Sequence, residues 1–405
     1  EVSALETSRW RVWLVTASCA GVLYFWTMAP GVLWGDSGDA QLRVLAGQWT
    51  DARELARTHV TYYALAIGLH RMLGLDAAWA ANLVAAAAGA LTVANMAWAL
   101  TWCVRRRAAL LAAVAMLLLS HTLWQMSAGA EVVTTSTACL SLELAALISF
   151  ARTGRLSWLV LAGFANGIGW STHNFAMLTW PAYAFLLVRW WPRIPVPRLR
   201  SALLVMAAWV AGTVPLAVLF VEDWGSSGSL IASVRSLLFG AYADQVFNAA
   251  LSGRLLGETF AYVIMNFPTP LLLLAPWGWW QARRAGSDGI WWFLTIAGVT
   301  FFAFALRYSV PDRYTFFVHA YLVLVLFAAV GIDDCVRRFP ARGMTTLVLL
   351  ASVIAPVAYA VVPMAVGWVG ESRLPLPSRR IPYRDPVKWF LRPWRSGYDG
   401  AERFA

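Results

Sequence analysis

One short acidic stretch decides the fold prediction: Trp34-Gly35-Asp36-Ser37-Gly38-Asp39. It follows directly on the first long hydrophobic segment, residues 10–30, in a chain where further hydrophobic segments succeed one another. Charged side chains are costly in lipid and tend to be functional there. Two carboxylates at the point where the chain first leaves a hydrophobic segment therefore predict a membrane protein with a functional site in its first loop.

The composition is that of a membrane protein. Of 405 residues, 60% are hydrophobic and 13% are charged, and the mean hydropathy is +0.61. Such a chain cannot cover a water-soluble domain with polar surface. The net charge of +11 comes mainly from short arginine clusters between hydrophobic runs, which is a topology pattern and not a nucleic-acid-binding face. We predict an all-α polytopic membrane protein with no nucleic-acid partner.

Eleven segments are apolar and close to the roughly 20 residues that a transmembrane helix needs. They are residues 10–30, 77–104, 108–127, 132–150, 157–172, 175–190, 201–221, 256–281, 289–306, 314–332 and 344–366. Arginine clusters fall in alternate connections and acidic residues in the others. By the positive-inside rule, the acidic side is the periplasmic or lumenal face. We expect the inner membrane of a bacterium.

Two large loops are predicted on this outer face, residues 31–76 and 222–255. Within the first, residues 62–73 are too short to cross the bilayer and suit a helix lying in the interface. Residues 1–368 are thus expected to form one transmembrane domain. The proline-rich residues 369–405 predict an extended segment on the outer face that leads towards a soluble domain.

Asp36 and Asp39 are the leading candidates for chemistry. Gly35 and Gly38 beside them allow a tight backbone. A carboxylate at this place could take a proton from an attacking hydroxyl, or help to bind a divalent metal. The structural alternative is that Asp36 opens a helix continuing through residues 40–45. The position after the first hydrophobic segment favours a function.

Further polar residues are predicted on the same face. Histidine and asparagine side chains there could hydrogen-bond a phosphate or a sugar hydroxyl, and arginine is well suited to phosphate. Packing of polar groups in a helix bundle and an interfacial arginine belt are the alternatives. The candidates for substrate or donor-phosphate binding are His59, Glu131, His173, Asn174, Arg307, Asp312 and Arg313.

With these residues in view, the chain resembles the GT-C superfamily of membrane glycosyltransferases, whose hallmark is an acidic motif in the first outer loop. More narrowly it resembles the protein O-mannosyltransferase family that acts on plexin-type receptor domains, together with its bacterial relatives. Val60-Thr61-Tyr62 and Val133 depart from the family's segments, and His173-Asn174 reads in reverse order. The matching positions are Asp36-Ser37-Gly38-Asp39, His59, Ala130-Glu131-Val132, Asp312 and Phe316-Phe317.

This resemblance implies an inverting glycosyltransferase. It would move a hexose such as mannose from a polyprenyl phosphate carrier to a hydroxyl of a protein or glycan. Asp36 would deprotonate the acceptor, an arginine would stabilise the leaving phosphate, and Asp39 would position the acceptor or hold a metal. The alternatives are a transporter or flippase of lipid-linked sugars, and a noncatalytic membrane scaffold.

Overall fold

A computed structural model describes residues 2–51, 54–195, 197–285, 289–369, 385–395 and 401. Within them every regular element is helical, which confirms the predicted class. The α-helices are α1 (Val2–Thr27), α2 (Gly35–Ala46), α3 (Val60–Leu73), α4 (Ala77–Cys103), α5 (Arg107–Leu118), α6 (His121–Ser127), α7 (Val132–Thr153), α8 (Leu156–Thr172), α9 (Trp180–Trp190), α10 (Arg198–Ser227), α11 (Leu230–Leu238), α12 (Gly253–Asn266), α13 (Ala275–Ala285), α14 (Ile290–Arg307), α15 (Val318–Arg338), α16 (Arg342–Ser352), α17 (Ile354–Val369) and α18 (Pro386–Leu391). Short 3-10 helices lie at Leu55–Arg57, Asn174–Thr179, Trp191–Arg193, Gly240–Tyr242, Pro270–Leu274 and Arg313–Phe317.

The chain is an integral membrane protein, and several of its helices can cross a bilayer by length and composition. Within the described residues five single helices do so: Ala77–Cys103, Val132–Thr153, Arg198–Ser227, Ile290–Arg307 and Arg313–Arg338. Three bent pairs raise the number to eight if each is one broken span: α5 with α6, α12 with the helix Pro270–Arg284, and α16 with α17. The predicted number of eleven is not confirmed.

Proline explains the sharpest of these bends. Residues 256–281 were expected to form one span, but helices Gly253–Asn266 and Pro270–Arg284 meet at 110°. Pro268 and Pro270 stand at the break, and proline removes a backbone donor and clashes with the preceding helical turn. The Asn266 side chain accepts a hydrogen bond from the backbone N–H of Thr122 at 2.8 Å. That N–H lies at the α5–α6 bend, so a side chain at one break provides the hydrogen-bond acceptor for a backbone donor at the other break.

The interior of the bundle is formed mainly by α4, α7 and α15, whose apolar windows are mostly buried. The long helix α10 is largely exposed, as expected for a helix that faces lipid. It packs closely on α8 through glycine: a Cβ on Gly212 would lie 2.6 Å from the backbone nitrogen of Ile168. Small residues at such contacts are the usual device for close helix packing in membranes.

Asp312 and the arginine pair Arg337-Arg338 lie at opposite ends of α15. Asp312 precedes α15, whereas Arg337 and Arg338 end it, which at 1.5 Å per residue is a separation of about 30 Å. Asp333 lies at the basic end and accepts hydrogen bonds from the backbone N–H groups of Arg105 and Arg106 at 3.0 and 2.8 Å. The predicted sorting of acidic and basic connections to opposite faces of a membrane stays a prediction.

The predicted first loop contains two helices, α2 and α3. Both carry exposed hydrophobic side chains, among them Leu42 and Leu45 on α2 and Met72 on α3, which fits an interfacial position. The second predicted loop, residues 222–255, begins inside a helix, because α10 continues to Ser227.

The described part of the C-terminal tail is not simply extended. It contains α18 and returns to the end of the bundle where Asp312 lies: the Gln125 side chain donates to the carbonyl of Trp389 at 3.0 Å, and Phe390 packs on Tyr314. The backbone N–H of Arg395 donates to the carbonyl of Thr27 at 3.2 Å. The rest of the predicted extended segment, residues 370–384, 396–400 and 402–405, lies outside the described residues.

Candidate active site

One cavity of about 420 Å³ brings together all the predicted site residues except Arg307 and Arg313. It lies between the start of α2, the turn before α3, the start of α7, the turn after α8 and the loop before α15. Parts of the chain far apart in sequence therefore share one site. Its polar lining residues are Asp36, Asp39, Arg43, Arg57, His59, Tyr63, Glu131, His173, Asn174, Tyr242, Tyr308, Asp312 and Thr315.

The two aspartates lie in the first turns of α2, as the structural interpretation of this stretch expected, and their catalytic role stays a prediction. Gly35 begins the helix with a left-handed φ of +64°, and a Cβ on Gly38 would collide with the backbone oxygen of Leu33. Asp36 and Asp39, three residues apart, lie on one face of the helix and line the cavity. Neither carboxylate makes a hydrogen bond or an ion pair with another described residue, and both are solvent-exposed.

Glu131 is tied to the same helix. The buried hydroxyl of Ser37 donates to Glu131 Oε1 at 2.8 Å. Burial raises the pKa of the Glu131 carboxyl to about 7. The hydrogen bond from Ser37 and the positive charge of Arg395 oppose this rise, and the charges of Asp36 and Asp312 add to it.

Asp312 closes the acidic side of the cavity. Its carboxyl is largely buried, and burial, helped by the charge of Asp36, raises its pKa to about 6. Asp36, Glu131 and Asp312 thus influence one another electrostatically. These three carboxyl groups can accept a proton from a substrate or exchange a proton with it.

The same cavity is lined by two arginines that the sequence analysis missed. Arg43 is buried, donates to the Tyr63 hydroxyl at 3.0 Å and lies 3.9 Å from Asp51. Arg57 lies 3.8 Å from the same carboxylate. The Nε and Nη2 atoms of Arg43 are buried and have no partner among the described residues. Because buried polar groups are normally paired, these spare donors point to a ligand that accepts hydrogen bonds.

Two histidines form a third wall. His59 has a left-handed backbone, φ +47°, and its Nδ1 lies 2.9 Å from the carbonyl oxygen of Thr172. The ring stacks on His173 with centroids 5.1 Å apart. The neighbouring Asn174 also lines the cavity, but its amide donates to the carbonyl of Leu237 at 2.7 Å and so holds the end of α11.

Arg307 and Arg313 brace the loop beside the cavity. Arg313 is buried and forms an ion pair with Glu258 at 3.1 Å, and Arg307 donates to the carbonyl of Phe247 at 2.7 Å. Their predicted contact with a phosphate stays a prediction. Among the residues that the structure describes, no three histidine, cysteine or acidic side chains are grouped so as to hold a metal ion. A metal at Asp39 likewise stays a hypothesis.

Comparison with known proteins gives a structural match alone. No protein-family model and no curated protein sequence matches the chain. The apo crystal structure of ArnT from Cupriavidus metallidurans superposes with a TM-score of 0.61 over 93% of this chain and 67% of that chain, at 16% identity. The chain has the fold of ArnT. The structure of that ArnT bound to undecaprenyl phosphate gives a TM-score of 0.60 over 95% of this chain and 85% of the other, at 15% identity. ArnT is a GT-C glycosyltransferase, so the predicted GT-C-like fold is confirmed.

Proposed function

We propose that the chain is an inverting glycosyltransferase that moves a hexose such as mannose from a polyprenyl phosphate to a hydroxyl of a protein or glycan. The reaction takes place in the cavity at the outer face of a bacterial inner membrane. One observation carries this proposal: a single cavity is lined both by carboxylates that have no hydrogen-bond or ion-pair partner among the described residues and by a buried arginine with unused donors. Such a site can remove a proton and bind an anionic leaving group at the same time.

The acidic side supplies the base. Asp36 takes the proton from the acceptor hydroxyl, and the oxygen attacks the anomeric carbon of the sugar. The bond from that carbon to the phosphate oxygen breaks, and its electron pair leaves on the phosphate. The configuration inverts because attack comes from the face opposite the leaving group. Glu131 and Asp312, next to Asp36, hold acceptor hydroxyls.

The basic side binds the phosphate. Arg57 and the free Nε and Nη2 donors of Arg43 stabilise the charge that builds up on the departing phosphate. Asp39 interacts electrostatically with Arg57 and marks the border between the two sides. The ArnT structure with undecaprenyl phosphate supports a polyprenyl phosphate donor for a chain of this fold.

The test is a transfer assay with undecaprenyl phosphate hexoses in vesicles. Asp36→Asn should lower the rate at least a hundredfold, because a general base contributes about 10² to 10⁴, while thermal stability stays close to that of the parent. Asp223→Asn, a partly buried carboxylate outside the cavity, is the matched control. Full transfer by Asp36→Asn would remove this residue from the mechanism. Binding of the lipid without any transfer by the parent chain would instead favour a flippase or a scaffold.

A further inference from the structure

The stacked histidines His59 and His173 come from different parts of the chain and meet at the cavity. His59 precedes α3, and His173 follows α8. Their rings are nearly parallel, with an interplanar angle of 15°. His59 holds a left-handed backbone, which is uncommon for residues other than glycine and persists only where the surroundings enforce it. The fold therefore fixes the place of this ring.

The backbone also fixes which nitrogen of each ring carries the proton. His59 Nδ1 faces the carbonyl oxygen of Thr172 at 2.9 Å, and a carbonyl can only accept, so Nδ1 carries the hydrogen. His173 Nδ1 accepts from the backbone N–H of Phe175 at 3.2 Å, so this Nδ1 carries the lone pair. In the neutral rings, Nε2 of His59 is then an acceptor and Nε2 of His173 is a donor. Neither Nε2 hydrogen-bonds to another described residue.

Both rings are neutral at pH 7. Burial lowers the pKa of His59 to about 4, and the nearby charges of Arg43 and Arg57 act in the same direction. Burial also lowers the pKa of His173, and the neighbouring His59 and His319 add to that effect. The two histidines are thus uncharged, whereas Arg43 and Arg57 in the same cavity are positively charged.

A phosphodiester and a hydroxyl group differ in what they offer this pair. The oxygens of a phosphodiester only accept hydrogen bonds, so the lone pair on His59 Nε2 would repel them. A hydroxyl both donates and accepts. It can donate to Nε2 of His59 and accept from the Nε2–H of His173. The pair is therefore matched to hydroxyl groups.

We propose that His59 and His173 recognise hydroxyl groups of the transferred sugar. The Nε2–H of His173 donates a hydrogen bond to a sugar hydroxyl, and Nε2 of His59 accepts one. This inference rests on the proposed function and narrows it: the sugar ring lies on the histidine wall, while the phosphate lies on Arg43 and Arg57. The histidines select a neutral, hydroxyl-bearing sugar and contribute nothing to the affinity for the bare lipid phosphate.

The first experiment compares binding of undecaprenyl phosphate with binding of undecaprenyl phosphate mannose, glucose and galactose to the purified full chain. His59→Phe and His173→Phe keep a flat ring and remove its nitrogens. Each should weaken binding of the preferred hexosyl lipid about tenfold, the usual effect of one lost hydrogen bond, and leave undecaprenyl phosphate affinity unchanged. His59→Gln, which keeps an acceptor, should restore most of the loss. His70→Phe, outside the cavity, is the control.

An equal loss for both kinds of lipid in His59→Phe and His173→Phe would mean that the histidines contact phosphate, and no loss for either lipid would mean that they contact no ligand. Both results overturn the inference. If the parent chain binds no undecaprenyl lipid at all, the proposed function fails.

The second measurement uses no lipid, so it separates these two failures. Nitrogen-15 NMR of the histidine side chains at pH 7 should show the proton on Nδ1 of His59 and on Nε2 of His173. Methyl α-mannoside, methyl α-glucoside and methyl α-galactoside serve as probes, and at least one at high concentration should shift both Nε2 signals. Reversed tautomers, doubly protonated rings or unmoved Nε2 signals with every probe would overturn the inference.

Discussion

Replacing Glu131 by glutamine should stabilise the protein at high pH and not at low pH. In the folded protein burial raises the pKa of this carboxyl from 4.5 to about 7. An acid whose pKa is raised by folding has its full stabilising contribution below pH 4.5, where it is protonated in both states. That contribution is lost as the pH rises through 7, because the folded state must then ionise a buried group. Each unit of difference between the pKa values of the folded and unfolded states is worth 1.36 kcal/mol, so the free energy of unfolding falls by about 3 kcal/mol.

Glutamine avoids this loss and keeps an oxygen that accepts from the Ser37 hydroxyl. For 405 residues at about 2.1 cal/mol/K per residue, 3 kcal/mol corresponds to a change in Tm of roughly 3 to 4 °C. Thermal unfolding in detergent should show Glu131→Gln level with the parent at pH 4.5 and higher by this amount at pH 8.5. Glu222→Gln, at an exposed position, should show no such pH dependence. A constant Tm difference between the two pH values would refute the reasoning.

Three more outcomes are expected. Arg57→Gln should weaken binding of undecaprenyl phosphate about tenfold through the loss of a charge-assisted contact, and an unchanged Kd would remove Arg57 from the phosphate site. Gly38→Ala should cost about 1 to 3 kcal/mol of stability because of the collision with Leu33, whereas Gly68→Ala, with open space around it, should be neutral or stabilising; equal Tm values for both would contradict this. Arg313→Gln should cost about 1 to 3 kcal/mol because Glu258 loses its buried partner and keeps only the exposed Arg254, with little effect on the Kd for undecaprenyl phosphate; a tenfold weaker Kd would instead give Arg313 a phosphate contact.

The helices were predictable because hydrophobic runs of the right length have few alternatives in lipid. Segments 77–104 and 132–150 differ from α4 and α7 by no more than a few residues at the ends. The prediction was wrong where proline interrupts a hydrophobic segment. At Pro268 and Pro270, one expected span became two helices that meet at 110°. Hydropathy alone does not register the angle between two apolar helices.

The acidic half of the site was also predictable, since Asp36, Asp39, Glu131 and Asp312 all follow or precede long apolar segments. The basic half was not. Arg43 carried a local signal, because it lies four residues after Asp39 on the same helix. An ion pair between residues far apart in the sequence has no such signal. Arg313 and Glu258 are 55 positions apart, and only the fold shows that they form a pair.

The contact between Arg395 and Thr27 has a consequence for biosynthesis. The two residues are 368 positions apart, so this contact at the end of the first helix can form only after residues 28–394 have been synthesised. Contacts of such sequence separation form late, because a long loop must close first. Nascent chains can therefore insert their helices into the bilayer in order, whereas this contact between the two ends of the chain forms only when residues 385–395 dock.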